Sequence, residues 1–138
     1  MNSPLKHKRQ FPRKPSSVGQ ARRFVRAAIV GEVRTDRADD ILVCVSELAT
    51  NAIKHGSPAG RDFRVRVAVE GDTLRVEVHD AGDGRPELRK ATEYDDDGRG
   101  LFLVASFADD WGVSRRTGPG KVVWAEFMLT KGPAAVPC

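Results

Sequence analysis

The feature of this sequence that most constrains its fold is a change in hydrophobic spacing near residue 60. Before it, apolar residues recur every three or four positions in two consecutive segments, as in amphipathic helices. After it, "FRVRVAVE" and "TLRVEV" alternate apolar and polar residues on either side of Gly71-Asp72, which is the pattern of a β-hairpin. Strands joined by a two-residue turn run antiparallel, so we expect helices packed on one face of an antiparallel sheet.

Capping and breaking residues predict the limits of the two helices. The first is expected from a cap at Ser16 or Ser17 to about Val33. The second is expected from a cap within residues 35–36 to Gly56, where a glycine followed by a proline ends the helical pattern.

The second half of the chain predicts a long loop and three more elements. Residues 81–99 hold glycines and charged residues without apolar periodicity, and a loop of that length is often functional. A short helix is expected from the Gly98-Arg99-Gly100 junction, followed by strands at about 111–115 and 122–129. The predicted class is therefore α+β, a two-layer sandwich with a mostly antiparallel or mixed sheet and helices on one face.

Length and charge predict one domain with two tails. A chain of 138 residues with 40% hydrophobic content can bury one core. Residues 1–16 are basic, contain prolines and lack apolar periodicity, so we expect a flexible tail there. The folded domain is expected at residues 17–130, and a second flexible tail at 131–138. Solvation explains the basic tail without nucleic acid, so no direct nucleic-acid binding is expected.

The sequence lacks the signals of several common classes of protein. No stretch approaches the roughly 20 apolar residues that span a membrane, and the amino terminus lacks a signal-peptide centre. We therefore expect a cytoplasmic protein without membrane contact. Cys44 and Cys138 lack metal-site spacing and suggest reduced thiols. Neither GxxxxGK[ST] nor GxGxxG is present, so P-loop and Rossmann sites are not indicated.

A polar margin runs along the second predicted helix. In "ELATNAIKHG", Glu47, Asn51 and His55 follow one another at steps of four and occupy an arc of roughly 80° beside the apolar stripe. A partly desolvated carboxylate can orient a hydroxyl or accept its proton, and an amide oxygen suits magnesium. The alternative is that these side chains cap or cross-link neighbouring loops.

Two further segments carry candidate site chemistry. Asp80 shares its strand parity with three buried apolar residues, so its carboxylate should point inward, and the glycines of "DAGDG" would let a flat ligand approach closely. The alternative is an ordinary Asp-Gly turn. At Gly98-Arg99-Gly100, the free amides and dipole of a helix start favour an anion such as phosphate. Arg99 either adds charge there or is simply solvated.

In this order, ExxxN, DxGxG and GRGLxLV resemble the Bergerat (GHKL) ATP-binding fold of histidine kinase catalytic domains and type II topoisomerases. With its small size and these three motifs, the chain resembles more closely the anti-sigma-factor serine kinases and related small ATP-binding regulators. The resemblance covers about residues 18–129.

The resemblance implies ATP and Mg²⁺ as ligands and a role for each matched residue. Glu47 matches the family's general base, Asn51 the magnesium ligand on the phosphates, and Asp80 the carboxylate that recognises the adenine amine. The remaining matches are Gly82 and Gly84 in the adenine pocket, residues 85–97 in the lid, and Gly98, Arg99, Gly100 and Leu101 at the phosphates.

Three features fit the family pattern loosely. A threonine often found near adenine is replaced by Val122 or Val123, which puts one water-mediated adenine contact in doubt. The acidic run at 95–97 is expected to be solvated, or to assist magnesium. His55 matches a position that is often basic in these regulators, and we assign it a structural role at the helix end.

The resemblance implies a serine/threonine-protein kinase that transfers the ATP γ-phosphoryl to a serine of an anti-sigma antagonist (STAS-type) protein, or that sequesters a sigma factor. Two alternatives stay open: a non-catalytic, nucleotide-regulated binding module, and a detached histidine kinase-type ATPase domain. An exposed face of the first helix would permit a homodimer.

Overall fold

The computed structural model describes residues 5–33, 35–55, 61–80, 98–115 and 120–129. Five strands form one sheet in the order β1-β2-β3-β5-β4, and every neighbouring pair is antiparallel. With the helices packed on the sheet, this arrangement confirms the predicted α+β class. The elements are β1 (Lys6–Phe11), α1 (Ser16–Val30), α2 (Ala38–His55), β2 (Phe63–Glu70), β3 (Thr73–Asp80), α3 (Gly98–Phe107), β4 (Asp110–Arg115) and β5 (Lys121–Met128).

The central hairpin forms as its turn residues predict. β2 and β3 pair from Phe63 opposite Asp80 to Glu70 opposite Thr73, which leaves a two-residue turn. Gly71 has a φ of 62°, in the left-handed region that glycine adopts without steric cost. The turn fixes the register of the hairpin, and the register decides which side chains face the helices.

The core lies between the helices and one face of the sheet. Alternate residues of each central strand are buried on that face, and the apolar stripes of α1 and α2 cover them. Burying a side chain of this size contributes about 1.5–3 kcal/mol relative to leaving it exposed. The strand residues in this layer include Val65, Val67, Leu74, Val76, Val78, Val123, Ala125 and Phe127.

The predicted flexible tail at residues 1–16 is wrong for residues 6–11, which form the edge strand β1. β1 pairs with β2 from Lys6 opposite Ala68 to Phe11 opposite Phe63. Phe11 is 1% exposed, with its ring stacked on Phe63 at 5.8 Å. The other five residues of the strand are exposed, so an edge strand rich in Lys and Arg lacks the alternation that marks a central strand. Residues 1–4 and the predicted tail at 131–138 lie outside the described residues. Apart from the correction at residues 6–11, the domain limits stay predictions.

The start of α1 also differs from the prediction. Pro15 occupies the cap position, and no side chain caps the helix. Ser17 is buried instead, and its hydroxyl donates a hydrogen bond to the carbonyl of Pro12 at 2.6 Å. This bond holds the β1–α1 connection, while α1 ends at Val30, three residues short of the prediction.

The remaining boundaries lie close to the predictions. Thr35 Oγ1 accepts a hydrogen bond from the Arg37 N–H at 2.9 Å, just before α2 begins. The predicted helix stop at Gly56 lies outside the described residues, but α2 does extend to His55. β4 and β5 each begin one residue earlier than predicted.

Candidate functional site

The start of α2 lies at the end of the sheet where β3 begins. Arg37, just before α2, donates a hydrogen bond to the Met128 carbonyl at 3.5 Å, and the Leu129 N–H donates to the Asp72 carbonyl at 2.8 Å. An 18-residue helix and an eight-residue strand are each about 26 Å long. Because α2 starts beside the start of β3 and packs on that strand, we infer that the two elements run side by side, and we call the half of the domain toward which they run the distal end.

Arg37 also connects α2 to the end of α3. Its guanidinium donates to Asp109 Oδ2 and to the Phe107 carbonyl, both at 2.7 Å, and it lies 3.6 Å from Asp40. Burial lowers the pKa of Arg37, but the hydrogen bond and charge of Asp109, aided by Asp40, outweigh burial and raise the pKa above its ordinary value. The side chain is a permanent cation that fastens two helices and the sheet.

The start of α3 points toward the distal end. α3 packs on α2, and its last residue, Phe107, lies beside Arg37 at the start of α2. The two helices consequently run in opposite directions. Ten residues of helix span about 15 Å, so α3 begins roughly level with Glu47. The structure describes residues 98–101 as the helical start of α3, where unpaired amides favour an anion.

Glu47 and Asn51 lie on the distal half of α2 at the margin of the core. Both side chains are half-buried, whereas Leu48, Ala49 and Ala52 between and beside them are buried. This is the polar margin that the helical spacing predicts. His55 is the last residue of α2, in agreement with its expected place at the helix end.

One turn before Glu47, Cys44 is fully buried in the same helix. Burial raises the pKa of its thiol to about 12, and the charges of Asp40 and Glu47 add to this effect. A thiol in that state is protonated at neutral pH, in agreement with the predicted reduced cysteine. The side chain serves as a small apolar core residue.

Asp80 ends β3 on the helix-facing side of the sheet, and the predicted inward orientation is confirmed. The residue is 4% exposed. Lys121 Nζ, on the neighbouring strand, lies 3.3 Å from Asp80 Oδ2. The start of α3, the two polar residues of α2 and this acid-base pair thus belong to the same end of the domain.

The comparison with known protein families decides the family. Residues 11–127 match the histidine kinase-like ATPase domain, a span that runs from the end of β1 nearly to the end of β5. The chain belongs to this family. Membership in an ATPase family supports ATP as the ligand of the domain.

Among individual proteins, two anti-sigma F factors are similar to this chain. The protein of Anoxybacillus flavithermus is 27% identical over 135 residues, which cover 86% of this chain and 92% of the relative. The protein of Clostridium acetobutylicum is 32% identical over 94 residues, which cover 62% of this chain and 66% of the relative.

A solved structure extends the comparison. The histidine kinase domain of a blue-light activated histidine kinase from Erythrobacter litoralis matches with a TM-score of 0.53 and 27% identity. The match covers 83% of this chain and 60% of that one, so this chain spans less than two thirds of the length of the histidine kinase domain.

Sequence reasoning missed Lys121 because the last strand was expected to begin at Val122. The alternation of β5 could have revealed it, because Lys121 precedes Val123, Ala125 and Phe127 at steps of two and so falls on their face of the strand. In the structure, Val122 pairs with His79 and faces away from the helices, and Val123 lies opposite Val78 in the core. Lys121 is therefore the polar side chain that β5 brings to Asp80.

Part of the predicted nucleotide site lies outside the described residues. Gly82, Gly84 and the lid at 85–97, including the acidic run, belong to this part. In the described part of the chain, no group of three or more His, Cys, Asp or Glu could hold a metal ion. An amide oxygen such as that of Asn51 is chemically suited to Mg²⁺, which commonly takes one or two protein oxygens together with waters and substrate phosphates.

None of the described helices is both long and apolar enough to cross a membrane.

Proposed function

We propose that the protein is an ATP-dependent regulatory kinase of the anti-sigma type, which phosphorylates a serine of a small anti-sigma antagonist protein and binds a sigma factor. The observation that carries the proposal is the similarity to the Anoxybacillus anti-sigma F factor, which extends over 92% of that relative. A likeness of that extent includes the whole arrangement of α2, β3 and α3, and exceeds a shared ATPase motif.

In this proposal, β3, α3 and α2 each bind a different part of the nucleotide. Asp80 accepts a hydrogen bond from the adenine amine, and its burial strengthens that bond by excluding water. The amides and dipole at the start of α3 hold the phosphates, with Arg99 as an added cation. The side-chain oxygen of Asn51 holds magnesium on the phosphates.

Phosphoryl transfer then depends mainly on positioning and charge neutralisation. The serine oxygen forms a bond to the γ-phosphorus as the bond between that phosphorus and the ADP oxygen breaks. Glu47, half-buried and one helical turn before Asn51, accepts the serine proton. Bound magnesium supplies charge neutralisation at the phosphates.

The test uses the purified chain, Mg²⁺, γ-labelled ATP and candidate antagonist proteins from neighbouring genes. We expect wild type to label a serine, and Glu47→Gln to lose about 10²–10⁴-fold of the rate while its ATP affinity changes by less than about threefold. Glu32→Gln, at an exposed position just after α1, is the matched control and should keep both. Tight ATP binding by wild type without transfer to any candidate would contradict the kinase and favour a nucleotide-regulated binding module.

The likeness to the histidine kinase structure favours a second candidate, an ATPase domain that phosphorylates histidine on a separate protein. The stability of the labelled product distinguishes the two. A phosphoserine survives acid, whereas a phosphohistidine hydrolyses in acid and survives alkali. An acid-labile product would replace the serine kinase with the histidine kinase-type activity.

A further inference from the structure

The helix-facing surface of β3 and β5 is apolar until its distal end, where it becomes polar. Leu74, Val76 and Val78 precede Asp80 on β3, and they are all buried. Asp80 and Ser17 are the two buried polar side chains in the described part of the chain, and Ser17 is accounted for by its bond to Pro12. Where the apolar surface ends, the fold therefore carries the free-energy cost of removing a carboxylate and part of an ammonium group from water.

Lys121 is fixed in this position by the register of the sheet. It lies directly opposite Asp80 in the antiparallel β3–β5 pair, so both side chains project to the same face. The Lys121 side chain is 17% exposed, with Nζ 3.3 Å from Asp80 Oδ2. The register thus holds an ammonium group beside a buried carboxylate at the margin of the core.

The pair presents a specific pattern of hydrogen-bonding groups. A carboxylate only accepts, through about four lone-pair directions, and an ammonium only donates, through three N–H groups. Asp80 can thus accept from Lys121 and from a ligand amine at the same time. Adenine carries a donor, its amine, beside an acceptor, the ring nitrogen N1, along one edge. A carboxylate alone would match the amine but would place negative charge near N1.

We propose that Lys121 is a specificity-determining residue that donates a hydrogen bond to adenine N1 while Asp80 accepts from the amine. The inference rests on the proposed nucleotide site at the distal end. Val123, the next β5 residue on this face, carries no polar side-chain group, so Lys121 is the polar side chain that β5 offers to N1. Its four-carbon stem lets Nζ move from the carboxylate toward the ring without a backbone change.

The test compares ADP with two analogues by calorimetry. In 1-deaza-ADP a C–H replaces N1, and in 7-deaza-ADP N1 is intact. Wild type should bind 1-deaza-ADP at least about tenfold more weakly than ADP, because the partly buried ammonium loses the ligand acceptor that N1 provides. In Lys121→Met, ADP itself should bind more weakly and the ratio between the two ligands should approach one. Lys8→Met, on the exposed edge strand, should keep the wild-type ratio, and 7-deaza-ADP should show the same ratio to ADP in all three proteins.

The outcomes distinguish this inference from the proposed function. If wild type binds ADP and 1-deaza-ADP equally, Lys121 does not read N1, and this arm needs no variant that must fold. The inference is also overturned if Lys121→Met keeps the tenfold ratio. If wild type binds no adenine nucleotide at all, the proposed function itself is contradicted and the inference falls with it.

Discussion

Two carboxylates on β3 show how residue position sets chemistry. Asp80 and Glu77 are three residues apart, so they face opposite sides of the sheet. Asp80 faces the helices, with the ammonium group of Lys121 beside it. Glu77 faces the other side, where it contacts His79 Nε2 at 2.8 Å, Arg75 Nε at 2.7 Å and Arg66 at 3.7 Å. The position of Asp80 suits ligand binding, whereas the contacts of Glu77 stabilise the sheet.

The Glu77 cluster predicts a dependence of stability on pH. The hydrogen bond from His79, opposed by burial and aided by Arg75, lowers the pKa of Glu77 from 4.5 to about 2. Its contribution is thus fully present above pH 4.5 and is lost as the pH falls toward 2. We expect Glu77→Gln to lower the free energy of unfolding by roughly 2 kcal/mol at pH 7, and this difference from wild type to shrink by about 1 kcal/mol at pH 3.5.

Urea unfolding at the two pH values measures this difference. Glu70→Gln, at the exposed end of β2, is the control and should differ little from wild type at either pH. A Glu77→Gln deficit that is equal at pH 7 and pH 3.5 would show that the cluster does not depress the pKa of Glu77.

At the scale of elements, the site depends on where helices and strands start. Arg37 fastens the start of α2 to the end of α3 and to the end of β5. Its guanidinium also lies over the Phe127 ring, 5.5 Å from the ring centroid. Because α2 and α3 are held at this end and run in opposite directions, their lengths place Glu47, Asn51 and the start of α3 in the other half of the domain.

Arg37→Met is expected to destabilise the fold. The substitution keeps an apolar stem but deletes the hydrogen bonds to Asp109 and the Phe107 carbonyl. A buried bond to a charged group contributes about 1.5–3 kcal/mol, but the Asp109 side chain is 43% exposed and solvent weakens its pairing, so we expect a total loss of about 2–4 kcal/mol in the free energy of unfolding. Urea denaturation is the measurement, and Arg26→Met, at an exposed position of α1, should change stability by less than about 0.5 kcal/mol. Equal stabilities of the two variants would mean that Arg37 does not fasten these elements.

The elements differ in how far sequence patterns predict them, for physical reasons. α2, β2 and β3 each bury one regular face, so their periodicity indicated both the element and the inward direction of Asp80. β1 buries only Phe11 and keeps its other residues exposed, and such a strand depends on pairing with β2, which no local pattern reveals. Lys121 was missed for a related reason. Its partner is 41 residues away, and only the register of β3 with β5 brings the two together.

At the scale of the whole molecule, helices cover one face of the sheet, and the distal end combines apolar surface, an acid-base pair and a helix start. The family assignment over residues 11–127 agrees with this distribution of chemistry.

The central claim is that an adenine nucleotide binds at the distal end through Asp80. The most direct measurement is the affinity of the chain for Mg²⁺-ATP and ADP, by calorimetry, in wild type, Asp80→Asn and Asp72→Asn. Asp72 lies in the hairpin turn at the opposite end of β3, so its variant is the matched control. We predict that Asp80→Asn binds both nucleotides at least about tenfold more weakly while remaining folded, because the charged acceptor for the adenine amine is lost, and that Asp72→Asn binds as wild type does. Unchanged affinity in a folded Asp80→Asn variant would contradict the account.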